Sequence, residues 1–265
     1  MTFKRLRAGK TIESEKAAML SLIAKRNVED FLRIQNINLM KLSDCDAKIV
    51  KEIKSSGYYM LKTCHDMNEY FSAVSGSYKI SPKKEELCEL TKEFCSAIKF
   101  FAEERGFGIL HNLNDEKVFV NIDTDKFYYT IANIVLNAME SSPSGTRIKI
   151  SLSVTKKFAK LTVSDKGSGM DEETAEHCCE PFFSTKKGKN ESRMGLGLTL
   201  ARHFADESSG RFYIKSEEGK GTSVSIMLPL LEKEEQGLSV KSSGEEIFRR
   251  GQRILEMVFA KNPEE

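Results

Sequence analysis

The chain has 265 residues, 40% of them apolar and 30% charged, which suits one or two ordinary globular domains. Its 41 Lys and Arg nearly balance 39 Asp and Glu, so no overall field draws it to nucleic acid or to an anionic membrane surface. No apolar run is long enough to span a bilayer, the basic start from Met1 to Arg7 lacks a signal peptide's apolar core, and the six cysteines follow no disulfide-framework spacing, all of which points to a reducing cytosol.

Residues 11 to 42 read as one helix, with Leu20, Ile23, Ala24, Val28, Phe31, Ile34 and Leu42 at three-to-four spacing. Ser43 to Asp46 is a polar turn rich in capping residues. A second helix then runs from about Ala47 to Val74 along the seam Ile49, Ile53, Gly57, Met60, Cys64, Met67, Phe71 and Val74. Two amphipathic helices and a tight turn make a dimerisation hairpin of residues 1–78. A lone hairpin leaves its stripes uncovered, so either a second copy completes a dimeric four-helix bundle or the hairpin packs on the rest of its own chain.

Tyr78 to Pro82 breaks the pattern, and Ser81-Pro82 reads as an N-cap followed by proline at the first helical position. The helix beyond it presents Leu87, Leu90, Phe94, Ile98 and Phe101 on one face, and Gly106 ends it. Strand-like runs cover Gly108 to Leu113 and Lys117 to Ile122, and Asp123 or Thr124 then caps a helix to about Ser142. Strands at Arg147 to Val154 and Phe158 to Ser164 lead into a glycine-rich loop region. A helix near Leu198 to Glu207 and strands at Arg211 to Ser216 and Ser223 to Leu230 follow. Residues 79–231 therefore read as an α+β sandwich, with helices on one face of a mixed sheet. Residues 232–265 open as a charged linker and end in a short amphipathic helix through Ile247, Ile254, Leu255 and Val258. That helix either docks on the body or a partner, or frays in solution.

Four segments in the second half carry chemistry. Asn133-Ile-Val-Leu-Asn137 sets two amides on one helix face, and amide oxygens are hard ligands suited to Mg²⁺. Asp165-Lys-Gly167-Ser-Gly169 follows an apolar strand, where a carboxylate can accept from an exocyclic amine and glycines allow close backbone approach. Taken alone it is equally a turn. Glu180-Pro-Phe182-Phe183-Ser-Thr-Lys186 reads either as a hydrophobic anchor for a surface loop or as the foot of a lid whose lysine reaches a terminal phosphate. Gly195-Leu196-Gly197 opens a helix whose first N–H groups, aided by the helix dipole, suit phosphates. Thr222, after Gly219 and Gly221, could buttress the adenine end.

In this order, and in these strand and helix contexts, the segments closely resemble the ATPase domain of sensor histidine kinases, a branch of the GHKL superfamily with its Bergerat-type α/β sandwich. Asn133 and Asn137 match the N box, Asp165 to Gly169 the G1 box, Phe182 and Phe183 the F box, Gly195-Leu196-Gly197 the G2 box, and Gly219 to Thr222 the final glycine motif. The resemblance covers residues 80 to 231 and extends loosely over the hairpin, in the place of the family's dimerisation and phosphoacceptor domain. It implies an ATP·Mg²⁺ site with Asn137 on the metal, Asp165 on adenine, Lys186 near the terminal phosphate, and a lid over about residues 182 to 197. It further implies a cytoplasmic homodimer that passes phosphate to a response regulator. The hydrolytic branch carries a glutamate where Asn133 stands. Asparagine takes no proton at neutral pH, so the site is arranged for transfer rather than hydrolysis.

The family also places a histidine on the first bundle helix, followed by an acidic residue and then a proline. Here that stretch is Leu22 to Leu32, Lys25 or a neighbour occupies the histidine's place, and no proline follows. The chain has four histidines. His111 and His203 read as structural or surface residues, the family assigns nothing to His177, and His65 lies on the second helix beside Asp66. His65 is therefore a candidate acceptor at an unusual position or an interface residue. Three functions fit these residues: a histidine-kinase-type phosphotransferase, an acceptor-less ATP-gated dimeric binding module, or a relative of anti-sigma serine kinases. The hairpin argues against the last.

Overall fold

The computed structural model describes residues 44–113, 116–185, 194–231 and 244–259. Their elements, in chain order, are α1 (Asp44–Ser75), β1 (Lys83–Glu86), α2 (Leu87–Glu103), β2 (Gly108–Asn112), β3 (Phe119–Ile122), α3 (Thr124–Ser141), β4 (Arg147–Val154), β5 (Phe158–Ser164), α4 (Glu172–His177), α5 (Gly197–Glu207), β6 (Arg211–Glu217), β7 (Gly221–Pro229) and α6 (Gly244–Val258). They fall into two compact units. One draws its described residues from Met1–Tyr78, Pro181–Leu196 and Glu256–Glu265, the other from Lys79–Glu180 and Gly197–Leu255.

The second unit is a mixed layer of helices on a five-stranded sheet in the order β2-β4-β5-β7-β6. Only β2 and β4 run parallel; the other neighbours are antiparallel. Period-two patterning decides which face is covered. Ile150, Val163, Val224 and Ile214 align across four strands, as do Leu152, Leu161, Ile226 and Phe212. Ile150, Leu161 and Ile226 in these rows are at most 2% exposed, and burying each such side chain contributes about 2 kcal/mol. The opposite face carries Ser151, Thr162, Ser225 and Tyr213 in register. Hydroxyl pairs tie that face together, with Thr162 Oγ1 3.0 Å from Ser225 Oγ and Ser164 Oγ 2.9 Å from Ser223 Oγ.

Two local readings are corrected. The helix expected to start at Pro82 starts at Leu87, because Lys83 to Glu86 pair antiparallel with Phe119 to Ile122. Glu86 then supplies the cap: its carboxylate accepts from Cys88 N at 3.1 Å and Glu89 N at 2.7 Å, and also from Val118 N at 2.9 Å. The loop after Gly169 contains α4, capped by Asp171, whose Oδ1 accepts from Thr174 N at 2.7 Å. Asp-Glu-Glu-Thr was a legible start signal, with acidic residues in the first turn. Asp123, not Thr124, caps α3 through Lys126 N at 3.1 Å. The tail helix lies against this unit: a Cβ built on Gly251 would come within 3.3 Å of the Tyr128 ring, and Leu255 is 1% exposed.

In the first unit, α1 already includes Asp44 to Asp46, which the sequence suggested as a turn. Gly57, Leu61, Asp66 and Ala73 are its buried positions among the described residues, whereas the seam residues Ile53 and Met60 are 37% and 56% exposed. Tyr58 donates to Glu256 Oε2 at 2.7 Å. The first helix of the expected hairpin lies outside the described residues. Among the described residues no helix is long and apolar enough to cross a membrane.

Candidate functional site

The site begins on α3. Asn133 is 4% exposed and donates through Nδ2 to Tyr129 O at 2.9 Å, which orients its amide. Gly197, the first residue of α5, sits against both asparagines: a Cβ there would lie 3.6 Å from Asn133 Oδ1 and 3.7 Å from Asn137 Nδ2. The absent side chain leaves the first turn of α5 open beside the two amides. Its leading N–H groups have no intrahelical acceptor and carry the positive end of the helix dipole. Thr199, in that turn, is 2% exposed, and its hydroxyl has no partner among the described residues. Such a group costs about 1–3 kcal/mol unless something satisfies it.

One turn beyond Asn137, Ser141 ties α3 to the loop after β5. Its hydroxyl donates to Asn137 O at 3.0 Å, and its carbonyl accepts from Ser168 N at 3.0 Å. The other side of that loop meets the β6–β7 turn. Gly219 N donates to Ser168 O at 2.6 Å, and Met170 N donates to Ser216 Oγ at 2.9 Å. Gly169 is where the chain needs a glycine: its φ is +65°, and a Cβ would overlap the Glu217 carbonyl.

Asp165 sits at the end of β5, and its Oδ1 accepts from Gly167 N at 2.8 Å and Thr222 N at 3.0 Å. Its Oδ2 accepts no hydrogen bond among the described residues. Burial pushes this carboxyl above its ordinary range, and the two backbone N–H groups pull partly back. A half-buried carboxylate with one oxygen committed and the other uncommitted is a fixed acceptor for an N–H-bearing ring. Thr222 Oγ1 lies 2.8 Å from Ser216 Oγ, so the hydroxyl expected to buttress the site belongs to a hydroxyl pair.

The second unit thus brings together Asn133, Asn137, Asp165, Gly167, Gly169, Gly197 and Thr222. Phe182, Phe183, Gly195 and Leu196 belong to the first unit, where Phe182 is 53% exposed and Leu196 1%. Lys186 lies outside the described residues. His65 is on α1, half-buried, beside Asp66, whose carboxylate Lys62 Nζ holds at 2.6 Å. His111 is exposed on β2, and His203 is buried on α5 with Nε2 3.9 Å from Glu207 Oε1. His177 Nδ1 lies 3.1 Å from Glu180, whose hydrogen bond and charge raise the imidazole's pKa. Sequence reasoning missed Ser141, Ser216 and Thr199. Ser141 was findable four residues after Asn137 on the same helix face. Ser216 was not, because strand register brings it to Thr222.

Residues 122–232 match the family model described as histidine kinase-, DNA gyrase B-, and HSP90-like ATPase. The chain is 32% identical over 234 residues to sporulation kinase C of Bacillus subtilis (strain 168), covering 77% of this chain and 52% of that protein. It is 24% identical over 190 residues to the sensor histidine kinase WalK of the same organism, covering 67% of this chain and 31% of that one. The chain thus spans about a third to a half of the length of these two relatives. Its fold is similar to full-length ShkA, solved in complex with AMPPNP, with a TM-score of 0.65 at 19% identity over 82% of this chain and 46% of that one.

Proposed function

We infer that this chain, whose residues 122–232 match the family model described as histidine kinase-, DNA gyrase B-, and HSP90-like ATPase, is a histidine-kinase-type phosphotransferase of two-component signalling that binds ATP with Mg²⁺. The observation that carries this is the convergence of Asn133 and Asn137 on the first residue of α5, with Asp165 held by Thr222 and Gly167 and the loop after it tied to Ser141 through Ser168. Asp165 Oδ2 takes the adenine amine, and the first turn of α5 takes phosphate oxygens. The Thr199 hydroxyl and Asp165 Oδ2, which have no partner among the described residues, fit such a ligand. Asn137 holds the metal through its amide oxygen. When bound, Mg²⁺ neutralises charge on the phosphates. Asn133 orients and does not abstract a proton, which favours transfer over hydrolysis.

The AMPPNP in the ShkA structure and the histidine-kinase names of the relatives support this reading. The exposed Ile53 and Met60 on α1 support a homodimer, since a second copy would cover them. A response regulator is the proposed recipient. Residues 1–78 serve as dimerisation hairpin, 79–231 as ATP-binding domain and 232–265 as linker and tail, in a cytoplasmic protein. His65 is the proposed acceptor within the described part of the hairpin.

The test is incubation of the purified chain with γ-labelled ATP and Mg²⁺. Acid-labile, base-stable label that disappears in His65→Ala is expected. Calorimetry with saturating ATP and Mg²⁺ that gives no heat would remove the basis of the reading altogether.

A further inference from the structure

The five-stranded sheet has an outer face, turned away from α3 and α5, and strand register gathers charge of one sign there. Lys149, Ser164, Ser223 and Lys215 form one row across β4, β5, β7 and β6. Ser151, Thr162, Ser225 and Tyr213 form the next row, and Lys160, Met227 and Arg211 belong to the third. Long cationic side chains therefore border the face, with short hydroxyl side chains between them. That floor is recessed: Ser225 is 4% exposed, while Tyr213 at the end of its row is 45% exposed. The floor hydroxyls satisfy one another, Thr162 with Ser225 and Ser164 with Ser223.

The bordering cations have no such partners. Among the described residues none of Lys149, Lys160, Arg211 and Lys215 meets a carboxylate, nor does Arg147, two residues before Lys149 on the same face. Arg211 instead lies over the Phe158 ring, 5.4 Å from its centroid. Glu217 is the one acid in the five strands, and it pairs with Lys220. In a chain whose charges nearly balance, this is a local excess of positive charge, and such a surface attracts and orients an anionic partner.

Spacing selects the kind of partner. Lys149 and Lys215 stand three strand spacings apart, about 14 Å, and the two cationic rows lie four residues apart along the strands, about 13 Å. An α-helix is about 10–12 Å across with its side chains, so one helix fits within the border. A bilayer is flat and does not follow a recessed floor. Single-stranded nucleic acid needs stacking platforms, and Phe158 is already covered by Arg211, which leaves Tyr213 as the exposed ring of these rows.

We propose that this outer sheet face is a docking surface for an acidic helix of a partner protein, whose Asp and Glu side chains reach Lys149 and Lys215 on one flank and Lys160 and Arg211 on the other. It is a second binding surface, independent of the nucleotide reading above.

The probe is a synthetic helical peptide of Ala and Glu with glutamates along both flanks, titrated against the full-length chain. A phosphatidylserine vesicle and a single-stranded oligothymidylate are titrated beside it. The variants are Lys149→Glu/Lys215→Glu and Lys160→Glu/Arg211→Glu. Lys92→Glu/Lys99→Glu, on α2 in the helical layer, changes net charge by the same amount elsewhere. Each variant is first checked for a native melt. Peptide affinity should fall at least about tenfold in both sheet-face variants, stay within about twofold in the α2 variant, and weaken as salt rises. No binding by the wild type, or an equal loss in the α2 variant, overturns the proposal. Tighter binding of the oligonucleotide or the vesicle through the same four residues also overturns it, in favour of a nucleic acid or a membrane.

Discussion

Asp165 and Thr222, 57 positions apart, hold each other from both ends: Asp165 N donates to Thr222 O at 2.9 Å, and Thr222 N donates to Asp165 Oδ1 at 3.0 Å. The pair extends the β5–β7 ladder by one step and converts a flexible carboxylate into a fixed one. Only one of its oxygens is used in doing so, and the consequences can be measured.

Asp165→Asn keeps an oxygen for Gly167 N and Thr222 N and replaces the second acceptor with an NH₂ donor. The fold should survive, while ATP affinity falls at least about tenfold, roughly 1.4 kcal/mol. Titration calorimetry against thermal melts separates the two effects. An affinity loss below about threefold would remove Asp165 as the adenine reader.

Affinity should also depend on pH. Above its raised pKa the carboxyl is ionised and both oxygens accept; as pH falls through that value one oxygen becomes a donor. ATP binding therefore weakens at a pH higher than an ordinary aspartate would give. For stability the sign is opposite: a raised acid pKa means that ionisation costs the fold above that pKa, and the cost is relieved as pH falls. Affinity measured from neutral pH downward, in wild type and Asp165→Asn, should converge. Parallel curves would assign the dependence to another group.

Gly169→Ala meets both a left-handed backbone and the Glu217 carbonyl. A loss of about 2 kcal/mol or more in urea unfolding is expected. Gly145→Ala is the control: its φ is +87° with nothing within 4 Å of a Cβ, so it should lose only about 1 kcal/mol. Equal losses would show that crowding at Glu217 does not matter.

Asn137→Ala tests the metal assignment. Chelating Mg²⁺ should weaken ATP binding to the wild type strongly and to the variant little, because the variant has already lost the metal's protein ligand. An undiminished response to Mg²⁺ in Asn137→Ala would place the metal elsewhere.

Most of the second unit was legible locally. Alternation in β4, β5 and β7, the cap at Asp123, and glycines at Gly106 and Gly197 act over a few residues, and each pointed to the element found. Lys83 to Glu86 misled because nothing in four charged residues announces a strand; pairing with Phe119 to Ile122 makes them one. The helix at Glu172 was missed although its Asp171 cap and acidic first turn were visible.

The sequence alone determined which chemistry was on offer: two amides a helical turn apart, a carboxylate closing an apolar strand, and glycines opening a helix. Those are properties of short spacings, and backbone geometry translates them directly. Which groups meet was decided by the tertiary structure. Strand register commits one oxygen of Asp165 to Thr222, the close approach of α5 to α3 sets Gly197 against Asn133 and Asn137, and an aromatic contact sets Phe182 on Tyr70. Each depends on packing between segments far apart in the chain, which no local pattern encodes.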